Sequence, residues 1–138
     1  MLRLLPVLLL LAACARSPEH RFTTVVTERP SPTGTIVAAE VWEEKGAGQP
    51  HFSAIVVARR GDDLRDAAPV LIARDDFVPL DFRWTSPAAL TLRLPCGRWS
   101  SLANHAIVAS RTVTIAFLAP HRCYVGPAGT GALPGPGV

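Results

Sequence analysis

Three cysteines (Cys14, Cys96, Cys123) and four histidines (His20, His51, His105, His121) are the side chains of this 138-residue chain best equipped for covalent or metal chemistry. A thiol can be acylated, oxidised to a disulfide or deprotonated to ligate a metal, and an imidazole can ligate or carry a proton. Cys96, His121 and Cys123 could form a metal set, but they lack the closely spaced first ligand pair of structural zinc sites, so no metal is expected. The chain contains no Gly-x-Ser-x-Gly, no His-Glu-x-x-His and no phosphate-binding glycine loop. Folding could bring His105 to His121, although exposed loop positions suit both better. Glu43 and Glu44 are adjacent, and on a strand they point to opposite faces, which does not suit paired acid and base work. No catalytic residue and no cofactor is expected, and the chain reads as a non-enzyme.

Leu11-Ala12-Ala13-Cys14 closes an apolar run that begins after Arg3. A positive flank, an apolar core over Leu4 to Ala13 and small residues before a cleavage point build a secretory signal. The run falls short of the roughly 20 residues that a spanning helix needs. These residues resemble the lipobox of bacterial lipoprotein signal peptides. The resemblance implies that residues 1–13 are removed and that the Cys14 thiol takes diacylglycerol, holding the protein to a membrane by palmitate-like acyl chains. Two or more such chains hold a soluble domain firmly, whereas one does so marginally. The residue after Cys14 is Ala15, not the aspartate that retains such proteins at the inner membrane. The resemblance therefore implies a place in the cell envelope, at the outer membrane facing the periplasm sooner than at the inner membrane. With Cys14 acylated, Cys96 and Cys123 are left to pair, and an oxidising compartment favours the bond. Closing that loop contributes about 3.5 kcal/mol in the chain-entropy model.

Without residues 1–13 the chain keeps 125 residues, enough for one core, and a formal charge of +2, because Arg3 is lost from fourteen basic residues set against eleven acidic ones. Charges of both signs are interspersed, as in Arg59, Arg60, Asp62, Asp63, Arg65 and Asp66, so no block of one sign is available for nucleic acid.

The elements that must position any site read as strands. Phe22 to Glu28 is a β-branched run that ends in the prolines and glycine of Arg29 to Gly34. Thr35 to Glu44 follows, with Ile36, Ala38, Glu40 and Trp42 on one face and Val37, Ala39 and Val41 on the other. Both faces are mostly apolar, which places it centrally in a sheet. After Lys45 to Pro50, His51 to Arg59 completes an antiparallel hairpin. Arg60-Gly61-Asp62-Asp63 is a turn, and its Arg-Gly-Asp triplet reads as solvated surface. Val70 to Ala73 is a short apolar run. Leu80, Phe82 and Trp84 alternate with Asp81, Arg83 and Thr85, and Leu90, Leu92 and Leu94 with Thr91 and Arg93, giving a second hairpin. Ser100 to Asn104 reads as loop. Ala106 to Ala109 and Thr112 to Leu118 supply one long strand or two short ones. The pattern predicts an all-β fold, a small antiparallel sandwich or barrel-like sheet of six to eight strands, with the disulfide stapling its end. The organisation is signal over 1–13, lipidated tether over 14–21, a single β domain over 22–125 and a disordered Gly/Pro tail over 126–138.

Ser31-Pro32-Thr33-Gly34-Thr35-Ile36-Val37-Ala38 is similar to the Ser-Pro-Asp-Gly turn that opens a strand in TolB-like propeller blades and in small bacterial lipoproteins. Phe82 to Leu92 resembles the next such unit. Thr33 stands where Asp is usual, and the second turn has neither Asp nor Gly. A propeller needs at least four blades, more than this chain can supply. The resemblance implies a blade-like sheet and carries no activity.

Among the aromatics, Trp42, Phe82 and Trp84 continue apolar faces and read as core. Trp99 lies between Arg98 and Ser100 near Cys96 and is expected to be exposed. With Asn104 and His105 it makes the candidate binding surface. The function these features suggest is a lipid-anchored envelope β-domain that binds or supports, with an envelope protein as the expected partner. The alternative is a small lipoprotein inhibitor of an envelope-targeting hydrolase such as lysozyme, which would need a protruding loop over Trp99 to His105.

Overall fold

The computed structural model describes residues 21–43, 46, 51–75, 79–101 and 103–123. Nine strands run in chain order: β1 (Thr24–Pro30), β2 (Ile36–Glu43), β3 (His51–Arg59), β4 (Pro69–Asp75), β5 (Asp81–Ser86), β6 (Ala89–Arg93), β7 (Arg98–Ser101), β8 (His105–Val108) and β9 (Arg111–Leu118). They form a five-stranded sheet in the order β1-β2-β3-β4-β7 and a four-stranded sheet in the order β5-β6-β9-β8. The architecture is the expected all-β sandwich, with no closed barrel and no helix among the described residues.

Two features differ from the expected six to eight antiparallel strands. Residues 98–101, whose Arg-Trp-Ser-Ser sequence lacks an apolar alternation, form a strand because the β4 edge pairs with them, Leu71 against Ser101 and Ala73 against Trp99. Cross-strand partners here override local propensity. In addition, β6 and β9 are parallel neighbours, Leu90 beside Ile115 and Leu92 beside Phe117. Parallel neighbours need a long crossover, and the chain provides one by visiting the other sheet as β7 before returning as β8 and β9.

The first hairpin is pinned at its turn. Gly34 adopts φ 73°, and its N–H donates to the Ser31 carbonyl at 2.8 Å, while Ser31 N–H donates to the Ile36 carbonyl at 2.8 Å. β1 extends to Pro30, which still faces Val37, so the turn begins later than the sequence suggests. Pro30 is tolerated because β1 is an edge strand, where a missing donor breaks no ladder. β2 lies between β1 and β3, the internal position that its two apolar faces require.

One face of the larger sheet and the facing side of the smaller one make the shared core. Ile36, Ala38, Ile55 and Leu71 meet Phe82, Leu90, Leu92 and Ile115, all nearly fully buried. A second cluster lies on the opposite face of the larger sheet, where Val37, Ala39, Val41, Ala54 and Val56 join Phe22 and Leu64. Alternation along β2 and β3 thus buries most residues of both parities, with Arg59 exposed at the end of β3.

Candidate functional site

Cys96 and Cys123 are joined by a disulfide, with their Cα atoms 5.6 Å apart. The bond ties the segment after β6 to the segment after β9. Those strands end side by side, Arg93 against Leu118, and Leu94 N–H donates to the Leu118 carbonyl at 3.0 Å. The staple therefore closes one end of the smaller sheet, as the sequence suggests. Both sulfurs are committed to each other, so they do not join His121 as thiolate ligands. Among the described residues no group of three His, Cys, Asp or Glu stands close enough to hold a metal.

Beside this bond the chain crosses twice between the sheets, from β4 to β5 and from β6 to β7, and a cleft of about 290 Å³ opens between the two crossings. Pro79, Leu80, Leu94 and Pro95 supply its apolar lining. Asp81, Arg93 and His121 also line it, with Arg74, Cys96 and Gly97 completing the wall. Asp81 and Arg93 face each other across β5 and β6 and form an ion pair, Arg93 Nε to Asp81 Oδ2 at 3.3 Å. Arg93 Nη1 also donates to the Ala119 carbonyl at 2.9 Å. Arg74 is exposed, and its ladder partner Phe52 belongs to the cluster on the outer face of the larger sheet, so alternation directs its side chain to that face while its carbonyl lies near Gly97. Directly across the ladder from it stands Arg98, also exposed.

One wall of the cleft is set from inside the core. Glu40 is fully buried, although it occupies the same β2 face as Ile36 and Ala38. Its Oε1 accepts from Trp42 Nε1 at 3.0 Å and from Leu80 N–H at 3.2 Å. A carboxylate enclosed without donors would cost several kcal/mol, so these bonds are what make its burial tolerable. Because Leu80 lines the cleft, Glu40 fixes the chain where it arrives from β4. Trp42 in turn stands edge-on to His51, ring centroids 4.8 Å apart. A lone acid in an otherwise apolar alternating face was the sequence signal for Glu40. Arg74 had no such signal, since it only ends a short apolar run.

The sequence-predicted binding surface is redistributed. Trp99 is not an exposed loop residue: it sits in β7, is half-buried and packs against the shared core. Its Nε1 is enclosed and has no hydrogen-bond partner. The correction follows from strand alternation, which turns Trp99 inward beside Ala73 while Arg98 points out. Asn104 and His105 are exposed and bonded to each other, Oδ1 to Nδ1 at 2.9 Å. They belong to the smaller sheet, where His105 lies opposite Thr114, whereas Trp99 belongs to the larger one. His121 lies beyond the end of β9, so the fold does not bring it to His105.

Phe82 is core as expected, while Trp42 and Trp84 are half-buried. The Trp84 indole donates to the Arg29 carbonyl at 2.7 Å. In the turn after β3, Arg60, Gly61 and Asp62 are exposed. Two residues on, Arg65 donates to both carboxylate oxygens of Asp63, which holds the Asp63 pKa down at about 2. Cys14, the signal and tether through His20, Tyr124 and the Gly/Pro tail lie outside the described residues. Among the described residues no helix is long and apolar enough to cross a membrane. Comparison with protein-family models, with curated proteins and with solved structures finds no match for this chain.

Proposed function

We propose that this protein is a lipid-anchored β-domain of the bacterial cell envelope that acts by binding. The observation that carries the reading is the disulfide: it uses Cys96 and Cys123 and leaves Cys14 as the odd thiol, at the end of an apolar run and after two small residues. An unpaired cysteine in an exported chain calls for a chemical fate, and acylation is the one that its neighbours suit. Ala15 favours the outer membrane, facing the periplasm. A rigid, cross-linked sandwich with a preformed cleft suits recognition of a partner or ligand. The inhibitor reading depended on a protruding loop at Trp99 to His105. Since residues 98–101 are an edge strand, no observation favours it.

Cross-linking in intact cells tests the reading, with Cys14→Ser as the untethered form. The expected result is a discrete envelope component recovered with the anchored chain and lost with Cys14→Ser. Equal recovery from both forms would detach binding from the anchor, and recovery from neither would contradict a binding role in the envelope.

A further inference from the structure

We infer that two copies of this chain pair through β8, edge to edge about a two-fold axis, so that their four-stranded sheets continue into one. The pairing goes beyond the reading of an envelope partner and does not depend on the anchor.

The hairpin presents the backbone groups that such pairing needs. β8 is the last strand of its sheet and bonds to β9 on one side only. Val108 and Arg111 flank a two-residue loop, and in that kind of hairpin the flanking pair exchanges both backbone bonds. Bonded pairs then recur at every second residue, at Ala106 with Val113 and at Asn104 with Ile115, where the Ile115 N–H donates to the Asn104 carbonyl at 2.8 Å. His105 and Ile107 fall between these pairs. Their N–H and C=O groups therefore point away from β9, out of the sheet's edge.

The other three edges are guarded. β1 carries Glu28, Arg29 and Pro30 and has a register break between Val25 and Thr27. β5 carries Asp81 and Arg83, shifts register between Trp84 and Ser86, and is tied to β1 by the bond from the Trp84 indole to the Arg29 carbonyl. β7 carries Arg98. Charge, proline and bulges are the devices by which edge strands resist pairing. His105-Ala106-Ile107-Val108 has none of them, its register is unbroken, and Ile107 is 73% exposed.

The same features select a second copy as the partner. In a two-fold contact the edge meets itself, so a charged edge would meet its own charge. β8 carries no Lys, Arg, Asp or Glu. With the axis at Ala106, His105 of each copy faces Ile107 of the other, and each facing pair exchanges both of its hydrogen bonds. Ile107 is then covered by the imidazole of the other copy. The strand is only four residues long, so the contact falls below the roughly 1,000 Å² of a stable interface and the dimer should dissociate on dilution.

The test is photo-cross-linking of the purified full chain in detergent micelles, with benzoylphenylalanine in place of Ile107 and with light and isotopically heavy chains mixed before irradiation. The expected product joins the probe of one copy to the tryptic peptide Trp99–Arg111 of the other, in mixed light and heavy form, with a yield that rises with chain concentration. His105→Pro removes an outward donor that β9 does not use, and should lower that yield about tenfold or more. His105→Gln keeps the donor and should cross-link like the parent. Ile107→Lys, read with benzoylphenylalanine in place of His105, puts a charge on the edge at an exposed position and should lower the yield as His105→Pro does. Thermal melts should show these variants folded. Cross-links to other segments of the second copy, a yield undiminished by His105→Pro or Ile107→Lys, or no mixed product would overturn the pairing. An envelope component captured from cells in any of those cases would leave the binding reading standing.

Discussion

Glu40 shows how a single side chain can serve both core and cleft. Its buried carboxylate accepts from the Trp42 indole and from Leu80 N–H, linking β2 to the chain at the start of β5. Removing the acceptor leaves two enclosed donors without it, and each such loss costs on the order of 1 to 3 kcal/mol. Glu40→Ala is therefore expected to lower stability in urea unfolding by about 3 kcal/mol. Glu40→Gln keeps a carbonyl acceptor and should cost less than half as much. Equal losses for the two variants would mean that the charge matters and the two bonds do not.

At the scale of elements, the connection between β8 and β9 is strained: it holds the two non-glycine residues with positive φ among the described residues. Val108 pairs with Arg111, so Ala109 and Ser110 form a two-residue loop, with φ of 49° and 62°. A two-residue turn of this hand favours Asn-Gly, and residues with a β-carbon are strained there. Replacing Ala109-Ser110 with Asn-Gly should raise the unfolding free energy by about 1 kcal/mol, read from the urea midpoint at unchanged slope. No gain would show that the left-handed pair carries little strain.

The same scale explains what was legible in the sequence. Hairpins were, because period-two alternation and turn residues are local signals: β3 spans His51–Arg59 as read, and β5 and β6 pair as read. β7 was hidden, since Arg98 to Ser101 becomes a strand only through the β4 edge, and Trp99 was misplaced with it. The parallel β6–β9 pair was equally silent, although the cysteines just beyond both strands marked where they end together. The cleft could not be read at all. Its lining comes from the end of β4, the approach to β5, the exit of β6 and the segment after β9, and alternation specifies faces of strands, not the places where the chain changes sheets.

For the whole molecule, the disulfide and the anchor divide the cysteines between them. The bond closes a separation of 27 residues that contains β7, β8 and β9. Cys96→Ser with Cys123→Ser should lower stability by about 3.5 kcal/mol and loosen the cleft wall at Cys96. Thermal unfolding with and without reductant would check this: reduction should shift the parent chain and leave the double variant unchanged. A small domain with a stapled end can tolerate the strain of its β8–β9 turn and its buried acid. The first strand begins at Thr24, ten residues after the proposed lipid-bearing Cys14.

Intact mass and N-terminal peptide mass of the chain isolated from a diderm host bear most directly on the central claim. The account predicts a mature chain beginning at Cys14 that carries diacylglyceryl mass, with Cys96 and Cys123 oxidised and Cys14→Ser retained as the unmodified precursor. A mature chain that begins elsewhere, or that keeps Cys14 as a free thiol, would contradict it.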